Sequence, residues 1–257
     1  MAYADYEAGF EPNLTVSTSE SQALNLQIYR CTSRNWEADC VDVSNQIVQS
    51  DADVVILRTR DSRPDIQVEN FELIEAGELV YWSSPVNPQF EPLANGFTYD
   101  NGVKNLAGFR AVVESSFEGY KNHYSFDPVF ESLDVESAYV DWAMKRLESN
   151  DINDLAGLLS FDGEPVGAIT GVQSDHIIEI ELAGIHQNFQ GKGFYGQLIA
   201  GFWNTVSNPE LSRIVISTQK ENASVQKAWT KLGFTYEFSA FTTHFVRQDV
   251  LKTQKSN

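Results

Sequence analysis

Sulfur is scarce in this chain. Cys31 and Cys40 are its only cysteines, and neither their number nor their spacing suits a disulfide framework or a zinc site, so both read as free thiols. Histidine is scarce too, with four residues, and no Cys/His/Asp cluster has metal-ligand spacing, so no metal is implied. Cations are outnumbered: 18 Lys and Arg stand against 36 Asp and Glu, a formal charge of −18. So little positive charge leaves no basic footprint for nucleic acid or an anionic membrane surface. No apolar run approaches the roughly 18 residues that cross a bilayer. The opening Met1-Ala2-Tyr3-Ala4-Asp5-Tyr6-Glu7 lacks the basic-then-apolar order of a signal peptide. The expectation is a soluble, cytoplasmic protein. The remaining composition is ordinary, with 42% hydrophobic and 12% aromatic residues, enough for one large or two modest cores.

Residues 14–93 hold strand-like stretches at Thr15 to Ser17, Val54 to Leu57 and Leu79 to Trp82, with a short helix over Cys40–Gln49. The Pro-, Asn- and Gly-rich stretch from Pro85 to Gly96 suits a linker, and places a boundary between residues 1–94 and 95–257. Beyond it, Leu106 to Phe117 and Val135 to Leu147 carry apolar residues at three- and four-residue spacing, the pattern of amphipathic helices, with Asp134 as a cap for the second. Pro165 to Val172 and Ile177 to Ile185 read as strands joined by a turn at Gln173-Ser174-Asp175. Then follow a glycine-rich loop, a helix from about Gly196 to Val206, a strand at Arg213–Thr218, a helix at Ala223–Leu232 and a final strand pair ending near Arg247. Strands alternating with helices and closing in a hairpin predict an α/β fold with a sheet of mixed direction, preceded by a smaller strand-rich α/β domain. Ala52–Leu57, Glu69–Leu73 and Gly77–Trp82 echo Ser212–Ser217, Gly233–Thr235 and Phe241–Phe245. Two readings stay open: a first half that is a degenerate copy of the second, or two unrelated strand-rich stretches.

The sharpest motif is the strand Ile177–Ile185 followed by Gln190-Gly191-Lys192-Gly193-Phe194-Tyr195-Gly196 and a helix. Three glycines in six positions let backbone approach a ligand closely, and the free N–H groups of a helix start attract phosphate. The spacing is neither a Walker loop nor the dinucleotide fingerprint. Ser217 to Asn222, the helix to Trp229, and Lys231-Leu232-Gly233-Phe234 form a second element at the spacing a cofactor wall requires.

With these two motifs, residues 95–247 resemble the GNAT superfamily of N-acetyltransferases. The family's pyrophosphate loop, Gln/Arg-x-x-Gly-x-Gly/Ala, is met at Gln190 and Gly193, with Tyr195 departing at the last position. The resemblance implies a twisted mixed sheet flanked by helices, acetyl-CoA as co-substrate, and a cofactor site formed by Leu182, Ala183, Gly184, Ile185, Gln190 to Gly196, Asn222 and Trp229. Asn122 to Phe130, Trp142 and Thr218-Gln219 are similar to bacterial dTDP-fucosamine acetyltransferases, which implies a nucleotide-linked amino sugar as acceptor and His123, Tyr124 and Phe126 as its contacts. A polyamine or a protein amine, which the negative charge would attract, remains an alternative acceptor. So does a catalytically weak acyl-CoA sensor. A homodimer is compatible with all three.

Glu179 and Glu181 lie two apart on a strand expected to be central, where carboxylates are rare because desolvation is costly. Either would serve as the base that takes a proton from the acceptor ammonium, or would pair with an Arg. GNAT enzymes commonly place a Tyr seven residues after the helix Asn to protonate the leaving thiolate, but Trp229 stands there, and an indole does not titrate usefully. Tyr195, Tyr236 and Tyr124 are the substitutes, with Tyr236 as the candidate acid. A diphosphate acceptor would need local cations, for which Lys121 and Arg110 are nearest in sequence to the acceptor segment.

Overall fold

Val54, Val55, Ile56 and Leu57 form an uninterrupted run of β-branched and aliphatic residues, and all four are fully buried. That run is the heart of a central strand in a computed structural model that describes residues 3–6, 11–174, 176–206 and 208–254. Among the described residues the strands, in chain order, are β1 (Thr15–Val16), β2 (Ile28–Ser33), β3 (Val54–Arg60), β4 (Phe71–Ser83), β5 (Phe97–Asp100), β6 (Asp154–Phe161), β7 (Glu164–Ser174), β8 (Ile177–Ile185), β9 (Arg213–Gln219) and β10 (Thr235–Arg247). They form one sheet in the order β1-β2-β3-β10-β4-β9-β8-β7-β6-β5. The β2–β3 and β8–β9 pairs are parallel and the others antiparallel, so the sheet is mixed, as expected. The turn expected at Gln173-Ser174-Asp175 falls partly on β7, and Asp175 lies outside the described residues.

Helices α1 (Thr18–Leu24), α2 (Trp36–Gln49), α3 (Leu106–Phe117), α4 (Val135–Glu148), α5 (Phe194–Thr205), α6 (Ala223–Lys231) and α7 (Gln248–Gln254) cover the sheet. Asp134 caps α4 as its position suggests, accepting from the Ser137 N–H at 3.0 Å. Trp36, Val43 and Ile47 of α2 pack on Cys31, Val55 and Leu57, whereas Val54 and Ile56 on the opposite face of β3 pack on Val129 and Phe130. Leu198, Ile199 and Phe202 of α5 and Trp229 of α6 share a core with Ile178, Ile180, Ile214 and Ile216. Phe109, Val112 and Val113 of α3 meet Val140 and Met144 of α4 over Leu158, Ala168 and Leu182.

The expected closing hairpin is a single 13-residue strand instead. Thr235–Arg247 contains no Gly, Pro, Asn or Asp, so nothing turns the chain, and two register irregularities at Tyr236/Phe238 and Phe241/Thr243 absorb the twist. Its neighbours come from the first half of the chain: β10 runs between β3 and β4, and β4 runs between β10 and β9. The segments that echo one another in sequence thus hold related places, β3 beside β10 and β9 beside β4, with β4 and β10 paired in the middle.

Candidate functional site

The parallel ladder between β8 and β9 runs from Ile177/Arg213 to Ile180/Ile216 and stops there, although β8 continues to Ile185 and β9 to Gln219. Beyond Ile180, β8 keeps β7 as its sheet neighbour and has none on the other side. A bulge starts this divergence: the pairing passes from Thr170↔Leu182 to Gly171↔Ile180, leaving Glu181 as the extra residue. Gly171 permits it, because a Cβ there would stand 2.7 Å from the Glu179 carbonyl oxygen. The opening leads into a cavity of about 700 Å³ lined by Ile180–Ala183, Ile216–Gln219, Tyr195, Asn222 and Trp229 at one end and by Arg30, Arg58, His123 and Tyr124 at the other. Unpaired strand edges of this kind accept an extended ligand by backbone hydrogen bonds.

At the edge of the opening, Gly191 and Gly193 adopt φ of +76° and +81°. No neighbouring atom lies within 4 Å of a Cβ built at either, so backbone conformation and not crowding demands glycine. Gly193 precedes α5 and gives it no side-chain cap, which leaves the first-turn N–H groups available to an anion. The loop is anchored by Gln190, whose Nε2 donates to the Ile185 carbonyl at 3.0 Å, and by Lys192, whose Nζ donates to the Asn188 carbonyl at 2.9 Å. Four of the other expected cofactor residues, Phe194, Gly184, Gly196 and Ile185, do not line the cavity. Phe194 packs against Phe97, Phe161 and Phe189, a Cβ on Gly184 would clash with Ser116, Gly196 rests near Leu232, and Ile185 is buried. Asn222 caps α6 by accepting from the Val225 N–H and donates to Thr218 Oγ1 at 3.1 Å. The Trp229 indole donates to the Tyr195 hydroxyl at 3.0 Å, and both rings line the cavity.

The two strand carboxylates have different surroundings. Glu179 lines the cavity, and its Oε2 accepts from the Tyr3 backbone N–H at 2.8 Å. Burial pushes its carboxyl up to about 7, with the nearby Glu181 adding to the rise and the Tyr3 N–H opposing it. Glu181 accepts from Arg146 Nε at 2.7 Å and from Nη2 at 2.9 Å, and Arg146 also reaches Asp154 at 2.5 Å. The structure therefore gives Glu181 the cationic partner that a structural role requires. Tyr236 stands apart from the cavity, half exposed, with its hydroxyl 3.1 Å from Ser239 Oγ, because the irregularity after it at the start of β10 turns it toward Trp82. Phe126 also points elsewhere, 48% exposed and against Gly77. Arg110 and Lys121 do not line the cavity, and Arg110 lies 3.9 Å from Glu114 on its own helix. The cations at the cavity are Arg30, Arg58, Lys145 and Arg146.

His123 and Tyr124 do line the cavity, in a network that sequence spacing does not disclose. Asn122 caps the short turn His123–Phe126, and Asp127 accepts from the Val129 N–H at 2.9 Å. His123 Nδ1 lies 3.0 Å from His244 Nε2, and His244 Nδ1 lies 2.7 Å from Asp127 Oδ2, all three side chains being buried. A carboxylate only accepts, so His244 carries a proton on Nδ1, and with burial keeping the ring neutral it accepts at Nε2. His123 then donates from Nδ1 and keeps a lone pair on Nε2, on a ring that lines the cavity. Burial holds both imidazoles below the ordinary histidine pKa, helped at His123 by His244 and Arg58 and opposed at His244 by Asp127. Tyr124 joins Glu20 and Arg30: Arg30 Nη2 donates to the Tyr124 hydroxyl at 2.8 Å and to Glu20 at 2.6 Å, and the hydroxyl also donates to Glu20. The signal for Arg58 was present in the sequence, a cation continuing the apolar run Val54–Leu57. Among the described residues no group of three or more His, Cys, Asp or Glu converges as metal ligands, and no helix is long and apolar enough to cross a membrane.

Residues 117–234 match the model of the Acetyltransferase (GNAT) family, and they include the β8–β9 opening, the glycine loop and α6. The structure is similar to a GCN5-related N-acetyltransferase from Kribbella flavida, with TM-score 0.54 and 11% identity over 86% of this chain and 81% of that one. It is also similar to a tandem GNAT protein from the clavulanic acid biosynthesis pathway, with TM-score 0.54 and 10% identity over 84% and 74%. In sequence, the spore coat polysaccharide biosynthesis protein SpsD of Bacillus subtilis (strain 168) is 21% identical over 150 residues, 57% of this chain and 50% of that one. The chain thus spans half the length of this curated relative. The fold is that of GNAT proteins, a large mixed sheet flanked by helices, and the matched region is a GNAT acetyltransferase domain, a family whose co-substrate is acetyl-CoA.

Proposed function

We propose that this chain transfers the acetyl group of acetyl-CoA to the primary amine of a nucleotide-linked amino sugar. The observation that carries the transfer is the β8–β9 divergence beside a positive-φ glycine loop, which offers an extended cofactor a strand edge and its pyrophosphate a helix start. Backbone N–H groups of β8 between Leu182 and Ile185 polarise the thioester carbonyl. Glu179 accepts a proton from the acceptor ammonium, the freed amine attacks the carbonyl carbon, and the carbon–sulfur bond breaks as the amide forms, the second amine proton passing to the departing CoA thiolate to give the free thiol. The acceptor lies between the sheet and residues 122–124, where His123 and Tyr124 supply a hydrogen-bond acceptor and an aromatic face. SpsD, named for polysaccharide biosynthesis, is consistent with a sugar acceptor. Residues 1–94, on this reading, are a degenerate counterpart of the GNAT unit at 95–257, the two exchanging β4 and β10.

The buried chain from Asp127 through His244 favours a second assignment of the base, in which His123 Nε2 takes the proton. The pH profile separates the two. A base at Glu179 places the acidic limb near 7, and a base at His123 places it well below the ordinary histidine range. The acceptor is tested by comparing acetyl transfer to dTDP-linked 4-aminohexoses with transfer to spermidine and lysine peptides. The expected preference is at least about tenfold in kcat/KM, or roughly 1.4 kcal/mol of transition-state stabilisation. The reverse order retains the transferase and discards the sugar, while CoA binding without turnover on any amine identifies a sensor.

A further inference from the structure

Arg58 is the one guanidinium of this cavity that has no partner among the described residues. Arg30 is held by Glu20 and Tyr124, and Arg146 by Glu181 and Asp154. Among the described residues Arg58 has no ion-pair or hydrogen-bond partner, its Nε is buried, and the side chain lines the cavity. Its position follows from strand alternation. Val55 and Leu57 of β3 face α2, so Ile56 and Arg58 face the opposite side, where Arg58 pairs in register with Thr242 of β10. Its charge is felt by Tyr81, Tyr124, Tyr139 and His123, so it sits amid neutral aromatic groups. His123, whose pKa burial holds well below the ordinary histidine value, offers no second cation there. Leaving a charge desolvated and unpaired is costly, and a protein of net charge −18 has ample carboxylates to pair it. Any group that completes its hydrogen bonding would come from the cavity that the side chain lines.

We propose that Arg58 is the subsite for an oxyanion of the acceptor, a phosphate or a carboxylate gripped by the planar guanidinium. The inference rests on the acetyl-transfer reading and adds a length to the acceptor. Arg58 is on β3 and the acetyl group enters at the β8–β9 opening. From β9 to β3 the sheet steps through β4 and β10, three strand spacings or about 14 Å. An acceptor that reaches both places carries its amine and its anion on the order of 10–15 Å apart, a span that a simple amino acid does not reach. The guanidinium's flat fork suits a phosphate or carboxylate gripped through two parallel N–H···O bonds, which a lysine does not reproduce.

The test is anion binding to protein saturated with CoA, so that the glycine loop is already filled. Inorganic pyrophosphate and malonate are titrated separately by calorimetry, and the two arms distinguish a phosphate from a carboxylate site. Wild type is expected to bind one of them in a 1:1 ratio, with Arg58→Met weakening it at least tenfold, Arg58→Lys falling between the two, and Arg110→Met unchanged. If Arg58→Met does not fold, the Nε–H resonance of Arg58 in the wild-type protein is expected to move on adding the same anion. No binding to CoA-saturated wild type, an Arg58→Met protein that binds normally, or an unmoved Nε–H resonance overturns the proposal. None of these readouts needs turnover, so a failure of acetyl transfer would leave the anion result standing on its own.

Discussion

His123 Nδ1 stands 3.0 Å from His244 Nε2, a contact that leaves room for at most one charge on the two rings. Two protonated imidazoles would point N–H at N–H, and burial, which holds both pKa values below the ordinary one, leaves the two rings neutral. The consequence is a loss of stability in mild acid. With folded pKa values depressed below the unfolded value of about 6.5, the unfolded state binds more protons as pH falls. The stabilisation is whole above about pH 6.5 and is lost below it, by up to about 1.4 kcal/mol per pH unit for each ring. Thermal melts between pH 5 and 8 are expected to show Tm falling below pH 6.5, with the slope flattened when both residues are replaced by Gln. A slope between pH 6.5 and 5 that the double replacement leaves unchanged would mean that the rings are already charged in the fold.

Replacing Gly193 with Val should abolish calorimetric binding of CoA while the far-UV spectrum and the fold persist. The residue sits at φ +81° with open space around its Cβ position, so the substitution strains the loop backbone without disturbing the core. The strain moves the N–H groups that precede α5. Normal affinity in a folded Gly193→Val protein would refute the loop assignment.

The local parts of this architecture were readable because they depend on near neighbours. The apolar spacing of Leu106–Phe117, the Asp134 cap, and the strand–glycine–helix order from Ile177 all announce themselves within a few residues. What escaped the sequence depends on partners far along the chain. Nothing near Thr235–Arg247 says that a strand from residues 71–83 will take the place of a hairpin partner. His123 and His244 look like isolated histidines until the sheet brings them together across 121 positions. Glu181 carried the same signal as Glu179, a carboxylate on a central strand, and only the arrival of Arg146 from α4 separates the two. Arg58 carried that signal with the opposite sign.

That separation has its own test. Glu181→Gln removes the charge that holds Arg146, in a pair whose side chains are 15% and 28% exposed. A partly solvated pair of this kind contributes about 1 kcal/mol or less. The expected loss is a few degrees of Tm, about 2–4 °C for a domain of this size. Turnover should fall by less than about tenfold, short of the effect expected for a lost general base. A loss of activity as deep as that of Glu179→Gln at unchanged Tm would return Glu181 to the chemistry.

Glu179→Gln should lower kcat by about 100-fold or more with little change in CoA affinity, because the amide keeps the shape of the side chain and loses its basicity. The direction of the pH effect is specific. Burial raises the carboxyl to about 7, so at lower pH the folded protein holds a proton that the unfolded chain releases near its ordinary value. The stabilising contribution of the protonated form is therefore whole below about pH 4.5 and is lost as pH rises through about 7, where the buried charge appears. Activity and stability accordingly pull in opposite directions at this residue: the ionised form that accepts the proton is the form the fold tolerates least. The Gln variant should lose the acidic limb of the kcat profile near pH 7 and, at pH 8, unfold at a higher temperature than wild type. Retention of that limb in Glu179→Gln, together with its disappearance in His123→Gln, would transfer the proton to the His123–His244–Asp127 chain.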